Sequence, residues 1–415
     1  MRKKVGEISE SCLGKMLDKD KNKGELQPYL SNKSVRWGTF DLDNLSLMRF
    51  EEAEEERYGL KIGDLVVCEG GEPGRCAIWN GKTQKMKIQK ALHRVRVKPD
   101  YDSHFLYYQF LLAGKTGDLD KYFIGSTIKH LTGVNLKQIE FNFPSLQIQQ
   151  KIANVLSVLD AKIALNNRIN AELEAMAKTL YDYWFVQFDF PNEANKPYKT
   201  SGGAMVWNEE LKREIPEGWS VGTLANIGNI VGGSTPPKEN TEYFEINGIP
   251  WITPRDLSNN VGNKFITRGE IDVSEKGKKA ASLNIIPKGT VLLSSRAPIG
   301  YLAIARDKVT TNQGFKSFVP NGEYPTSYIY YTVKNLIPTI ENKAVGSTFR
   351  EVSATTLKGI ETCLPPKNII DGFSKKLDVI FEKQNLLELE NQQLSALRDW
   401  LLPMLMNGQV VVGEK

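Results

Sequence analysis

The sequence is poor in the residue types on which most catalytic centres and cross-links are built. It has four cysteines, Cys12, Cys68, Cys76 and Cys363, with no CxxC pair and no histidine at zinc spacing. Neither a disulfide framework nor a metal site is legible, and the thiols are read as reduced. Histidine is scarcer, at His93, His104 and His130, and none stands in a His-Glu metal motif. No apolar run approaches the ~18 residues of a membrane span. Residues 1–14 are basic without an apolar segment, so a cytosolic chain is expected, neither exported nor inserted. "VGGSTPPK" at Val231 lacks the glycine a phosphate loop needs before its lysine, no GxGxxG opens a helix after a strand, and no Asn/Asp-Pro-Pro-Tyr tetrapeptide occurs. The chain reads as having no catalytic centre and no cofactor of its own.

What is present is repetition. A chain of 415 residues is too long for one ordinary core and predicts two domains. A net charge of +5 mildly favours an anionic partner. "GSTIKHLTGVNLKQIEFNFP" from Gly125 returns as "GSTFREVSATTLKGIETCLP" from Gly346, and the ungapped offset of 221 holds through Leu180 and Leu401, with 17 identities in 56 pairs. A shorter match, "GDLVVCEGGEPGRCAI" from Gly63 with "GTVLLSSRAPIGYLAI" from Gly289, lies at offset 226. The chain is two copies of one plan, a variable globular region followed by a regular helix.

The helices carry apolar residues at spacings of four and three. The first copy has Ile148, Ile152, Val155, Leu159, Ile169, Leu173, Met176, Leu180 and Tyr183, and the second Ile369, Phe373, Ile380, Leu387, Leu394, Leu397, Leu401 and Met404. Pro144 and the pair Pro365 and Pro366 mark their starts. Lys162 and Asn166 in the first seam, and Lys376, Lys383 and Glu390 in the second, predict an imperfect, register-setting coiled coil. About forty residues of helix span roughly 60 Å. The expected partner of each helix is its own repeat, antiparallel, with one domain at each end of the pair; packing of each helix on its own domain is the alternative. The fold expected is mixed α+β: a first domain over 1–146, a spacer helix over 147–187, a Pro/Gly-rich linker over 188–216, a second domain over 217–366 and a C-terminal spacer helix over 367–408.

From Asn80 to Lys98 seven Lys or Arg residues occur with no acid, and Lys85, Lys87, Arg94, Arg96 and Lys98 alternate with Met86, Ile88, Val95 and Val97. That pattern suits strands with one basic face toward a phosphate backbone. A solvated sheet edge protected by lysines fits it equally. In the second copy Arg255, Arg296, Lys316 and Arg350 stand in loop-like contexts where phosphate or base contacts are made. In the repeated sentence Lys129 and Arg350 occupy the same place after "GST", and Leu136, Ile139, Leu357 and Ile360 read as the core of a short strand returning to the helix.

Several blocks, "GKMLDKDKNKGELQPYL" with "VRWGTFDLDNL", "YGLKIGDLVVCEGGEPGRCAIW", "GGSTPPKENTEYFEINGIPWITPRDL" and "TNQGFKSF", together with the repeat, resemble the specificity subunits of type I restriction-modification enzymes over nearly the whole chain. The resemblance implies two target recognition domains, each reading half of a bipartite asymmetric site on double-stranded DNA, and an antiparallel helical spacer. It also implies two methyltransferase and two restriction/translocase subunits as partners, which hold the S-adenosylmethionine, ATP and Mg²⁺. The candidate DNA contacts are then Arg75, Lys85, Lys87, Lys90, Arg94 and Lys129 in the first domain, and Arg255, Arg296, Lys316 and Arg350 in the second. The candidate spacer packing is Ile152, Leu159, Ile169, Leu173, Met176 and Leu180 against Ile380, Leu387, Leu394, Leu397 and Leu401.

Overall fold

The computed structural model describes residues 1–18, 22–81, 83, 85–346 and 350–413. Two units divide the chain, one of residues 1–163 and 393–415, the other of residues 164–392. In unit 1, strand Leu92–Val97 pairs on one side with Ser9–Leu13 and on the other with Leu65–Cys68, which pairs in turn with Cys76–Ile78, all antiparallel. A second small sheet sets Glu25–Leu30 between Leu47–Phe50, antiparallel, and Lys87–Ile88, parallel. The helix Ser103–Thr116 covers the larger sheet; Asp102 caps it by accepting from Phe105 N at 2.8 Å.

Unit 2 repeats this plan. Its larger sheet runs Asn229–Gly232, Lys316–Val319, Val291–Ser295, Ile299–Ala305, extended by Phe265–Ile266 in parallel. The small sheet sets Ile249–Ile252 between Ile271–Val273, antiparallel, and Thr310–Thr311, parallel. Arg2–Lys4 against Glu140–Asn142 has its counterpart in Ser220–Thr223 against Glu361–Leu364. The repeat legible at offset 221 is thus a repeat of topology.

The repeated sentence is half helix. Leu136, Ile139, Leu357 and Ile360 are fully buried as expected of core. The "LK" part forms Gly133–Gln138 and Ala354–Lys358, however, because Thr132 and Ser353 cap these turns by accepting from Asn135 N and Thr356 N. The strand begins only at the glutamate. The stretch read as a linker is folded too. It forms the hairpin Met205–Asn208 with Arg213–Pro216, and Phe190 stacks on Tyr198 and Trp219 at 4.6 and 5.2 Å.

The helices Leu146–Tyr181 and Lys367–Met406 are continuous, of 36 and 40 residues, the second carrying Pro403 in its last turn. Their segments pair antiparallel within each unit. In unit 1, Ile152 and Leu156 cluster with Leu402 and Leu405. In unit 2, Ala177 and Tyr181 cluster with Phe373 and Leu377. Ile152 and Leu387 are buried, while Leu159, Ile169, Leu173, Leu180, Ile380, Leu394 and Leu401 are half-buried. Met176 and Leu397 are corrections: they are 61% and 43% exposed, and the next residue takes the seam in each case. Ala177, fully buried, fills the first place, and Arg398, bonded to Asp160 at 2.8 Å, the second.

Of the expected polar interruptions, Asn166 stands in the seam, fully buried, while those of the second helix are displaced by one residue. Lys376 and Lys383 are exposed, and Gln384 and Asn391 stand in the seam, where Asn391 accepts from Asn166 Nδ2 at 2.9 Å. Helices that cross several environments do not hold one ideal period, so a heptad drawn across the whole length drifts by a position. The revised seam makes a prediction. Leu156→Ala should cost about 2–5 kcal/mol in a urea melt, and Val158→Ala, on the exposed side, within about 0.5 kcal/mol; equal costs would contradict this seam.

Candidate nucleic-acid interface

In unit 1 the basic stretch meets an acidic one. Residues 51–58, "EEAEEERY", lie over the strands, and Lys87 Nζ pairs with Glu55 at 2.5 Å with its side chain 1% exposed. Arg94 is buried and donates to the carbonyls of Glu56 and Gly59 at 2.6 and 3.3 Å. Arg96 makes a two-pronged pair with Asp64, both bonds at 2.8 Å. Lys87 and Arg94 are therefore corrections: they are sequestered inside the unit and face no phosphate. The sequence signal that predicts this is the compensating acid run upstream, whose charge the basic face neutralises internally.

Lys85 and Lys90 remain exposed. Arg75, largely buried, pairs with Glu72 at 2.8 Å and donates to Asn32 O at 2.9 Å. Lys129 is half-exposed and pairs with Asp120 at 2.8 Å. His93 is buried against Leu131 O at 2.8 Å, and burial pushes its pKa down, so it is a core histidine.

In unit 2 the candidates converge. Arg255 and Arg296 line one cleft of about 720 Å³, walled by Phe244 and Trp251 and edged by Thr235, Asn312 and Gln313. Arg255 reaches Glu270 at 3.8 Å. Arg296 and Lys316 share Glu351, each at 3.5 Å. Arg350 donates to the carbonyl of Glu341. The aromatic walls are fixed from below, since Trp251 Nε1 donates to Ser234 O at 3.1 Å. The Thr235 hydroxyl is bonded to Gln313 Oε1. Such a cleft, with guanidinium, amide and hydroxyl groups over aromatic walls, is equipped to read polar edges. Among the described residues no group of three His, Cys, Asp or Glu side chains is arranged to hold a metal ion.

The family model for the type I restriction modification DNA specificity domain matches this chain twice, over residues 1–175 and 216–397. The chain belongs to that family. The MjaIX specificity subunit of Methanocaldococcus jannaschii is 40% identical over 207 residues, 47% of this chain and 48% of that protein, so the chain spans about half the length of that relative. The HindI specificity subunit of Haemophilus influenzae is 29% identical over 335 residues, 68% of this chain and 72% of that one. A crystal structure of a type I S subunit from M. genitalium shares the fold, with a TM-score of 0.60 at 18% identity over 100% of this chain and 96% of that one.

Within this specificity-family chain the two units share a bonded framework around their loops. Gln89 N donates to Leu30 O at 3.0 Å as Asn312 N does to Ile252 O at 3.1 Å. Glu69 N donates to Ala91 O at 2.8 Å as Ser295 N does to Gly314 O at 2.7 Å. Lys15 N donates to Ile88 O and Ser234 N to Thr311 O, both at 3.0 Å. The glycine before each of these last donors is forced by close approach. A Cβ on Gly14 would stand 2.4 Å from Gln89 O, and one on Gly233 2.1 Å from Thr311 O. Sequence reading missed Thr235, Asn312 and Gln313, although "GGSTPP" and "TNQGF" put them next to the glycines that hold the loops.

Proposed function

We propose that this chain is the DNA-reading subunit of a type I restriction-modification complex and performs no catalytic step itself. Each unit reads one half of a bipartite, asymmetric site on double-stranded DNA, and the two long helices set the gap between the halves. The chain positions two adenine-methyltransferase subunits and two ATP-dependent restriction/translocase subunits in the cytoplasm, and S-adenosylmethionine, ATP and Mg²⁺ belong to those partners. The observation that carries this reading is one framework built twice with different side chains on its loops. A duplicated frame with diverged loops binds two unlike halves of one ligand, and an asymmetric two-part DNA site has that form.

The helices support the paired partners. Three exposed apolar positions on the first helix, Val158, Leu165 and Met176, recur at offset 221 as Val379, Leu386 and Leu397, all exposed. Apolar side chains kept at equivalent exposed positions in both copies suit two copies of one partner.

The reading is tested by binding of the full chain to duplex DNA at several salt concentrations. Affinity should fall steeply with salt, as phosphate contacts release counterions. Lys129→Ala should lower affinity and reduce the salt slope by about one unit, whereas Lys87→Ala should lower the melting temperature and leave the slope unchanged. Absence of salt-dependent binding to duplex DNA would instead indicate a coiled-coil scaffold for proteins, without DNA specificity.

A further inference from the structure

Two turns occupy the same node of the two frameworks, residues 89–91 in unit 1 and 312–314 in unit 2. Each is tied on both flanks by the main-chain bonds given above, and each is closed by a further one, Leu92 N to Gln89 O at 3.1 Å and Phe315 N to Asn312 O at 3.3 Å. Leu92 and Phe315 are fully buried beneath them. In both turns only the middle residue is exposed, Lys90 in one and Gln313 in the other. A side chain projecting from a backbone fixed on all sides is placed for recognition, because little ordering remains to be done on binding.

We propose that Gln313 and Lys90 are base-reading residues of the two half-sites, Gln313 taking an adenine and Lys90 a guanine through the major groove. The inference rests on the reading that each unit binds half of a DNA site. Gln pairs two-pronged with adenine N6 and N7, and Lys with guanine O6 and N7. Gln313 lies on the cleft that also holds Arg255 and Arg296, and the hydroxyl of Thr235 orients its amide. Its carbonyl oxygen keeps a second lone pair for the adenine amino group while its NH₂ donates to N7. Asn312, the other amide of the turn, is spent internally, accepting from Gly314 N at 2.9 Å. The neighbouring cations are drawn to acids or carbonyls of the unit and suit phosphate positioning: Arg255 to Glu270, Arg296 and Lys316 to Glu351, Arg350 to Glu341 O. Divergence of one exposed residue on a shared turn makes the two halves of the site differ.

The test is adenine-methylation mapping of a methylation-free host that expresses the full chain with its neighbouring methyltransferase subunit, as wild type and as Gln313→Ala, Gln313→Lys and Lys90→Ala. Circular dichroism melts of each chain check that it folds. Gln313→Ala should lower the preference at one base pair of one half-site roughly ten- to a hundredfold and leave the other half unchanged. Lys90→Ala should do the same in the opposite half, and Gln313→Lys should move its base pair from A toward G. An unchanged motif, a change shared by both halves, or a uniform drop in methylation by folded variants would overturn the assignment while leaving the DNA-reading role in place. No two-part motif from the wild-type chain would strike that role, and this inference with it.

Discussion

Glu174→Gln is expected to destabilise unit 2 by about 3–5 kcal/mol, because it removes the charge that keeps a buried lysine ionised. Lys264 is 3% exposed and stands 2.7 Å from Glu174 Oε2. Its ammonium also donates to Gln384 Oε1 at 2.7 Å and Tyr331 Oη at 2.9 Å, and lies 3.9 Å from the Phe381 ring centre. Burial draws the pKa of Lys264 down to about 8 in spite of Glu174. Burial also opposes ionisation of Glu174, but Lys264 and Lys334 outweigh it and hold the carboxyl at about 2. With Gln in place the ammonium keeps its hydrogen bonds and loses its nearest counter-charge, leaving only the weaker influence of Glu388. A urea melt of the full chain measures the loss, and a shift under about 1 kcal/mol would contradict it. The double change Glu174→Leu with Lys264→Met should recover much of the stability, since apolar groups of similar volume often replace a buried pair at little cost.

The same carboxylate gives a pH dependence. Glu174 titrates lower in the folded chain than its ordinary 4.5, so its contribution is complete above about pH 4.5 and is lost as pH falls toward 2. Glu388, raised by burial, titrates earlier and works in the opposite sense. The Glu174→Gln chain should therefore lose less stability than wild type between pH 4.5 and 2.

Gly233→Ala should abolish recognition by unit 2 while sparing unit 1, and Gly14→Ala should do the reverse. In each case the added methyl would sit far inside contact distance of a main-chain oxygen, which no rotamer change relieves. The loop must leave the turn it is bonded to, at a cost of about 1–3 kcal/mol in overpacking, and the reading surface goes with it. Methylation or binding assays on sites with one half scrambled would show the asymmetry. Loss of both halves from either substitution would mean that the two loops do not serve separate halves.

Much of this arrangement was legible beforehand. The duplication came from "GST…LK.IE…P", and the topology of the two units repeats as that match implies. Helix existence followed from the three-four spacing, but the seam slipped by one residue at Met176 and Leu397, because polar and small residues, Ala177 and Arg398, fill places that pattern reading reserves for large apolar ones. The basic alternation of the first copy misled for a different reason. Lys87 and Arg94 do lie on strands, yet their faces are closed by Glu55 and by the carbonyls of Glu56 and Gly59, from a segment some thirty positions away in sequence. Local pattern shows the charge and is blind to what the fold lays over it. Gln313 and Thr235 went unnoticed because uncharged polar residues carry no periodic signal; only the bonded framework around them shows that they are displayed.

The central claim is that one chain supplies both halves of a DNA specificity. Its most direct test is a single-molecule map of adenine methylation in a methylation-free host expressing this chain with its neighbouring methyltransferase subunit. The account predicts an asymmetric two-part motif with a fixed gap that vanishes when this chain is omitted. A one-part or symmetric motif, or one that persists without the chain, would contradict it.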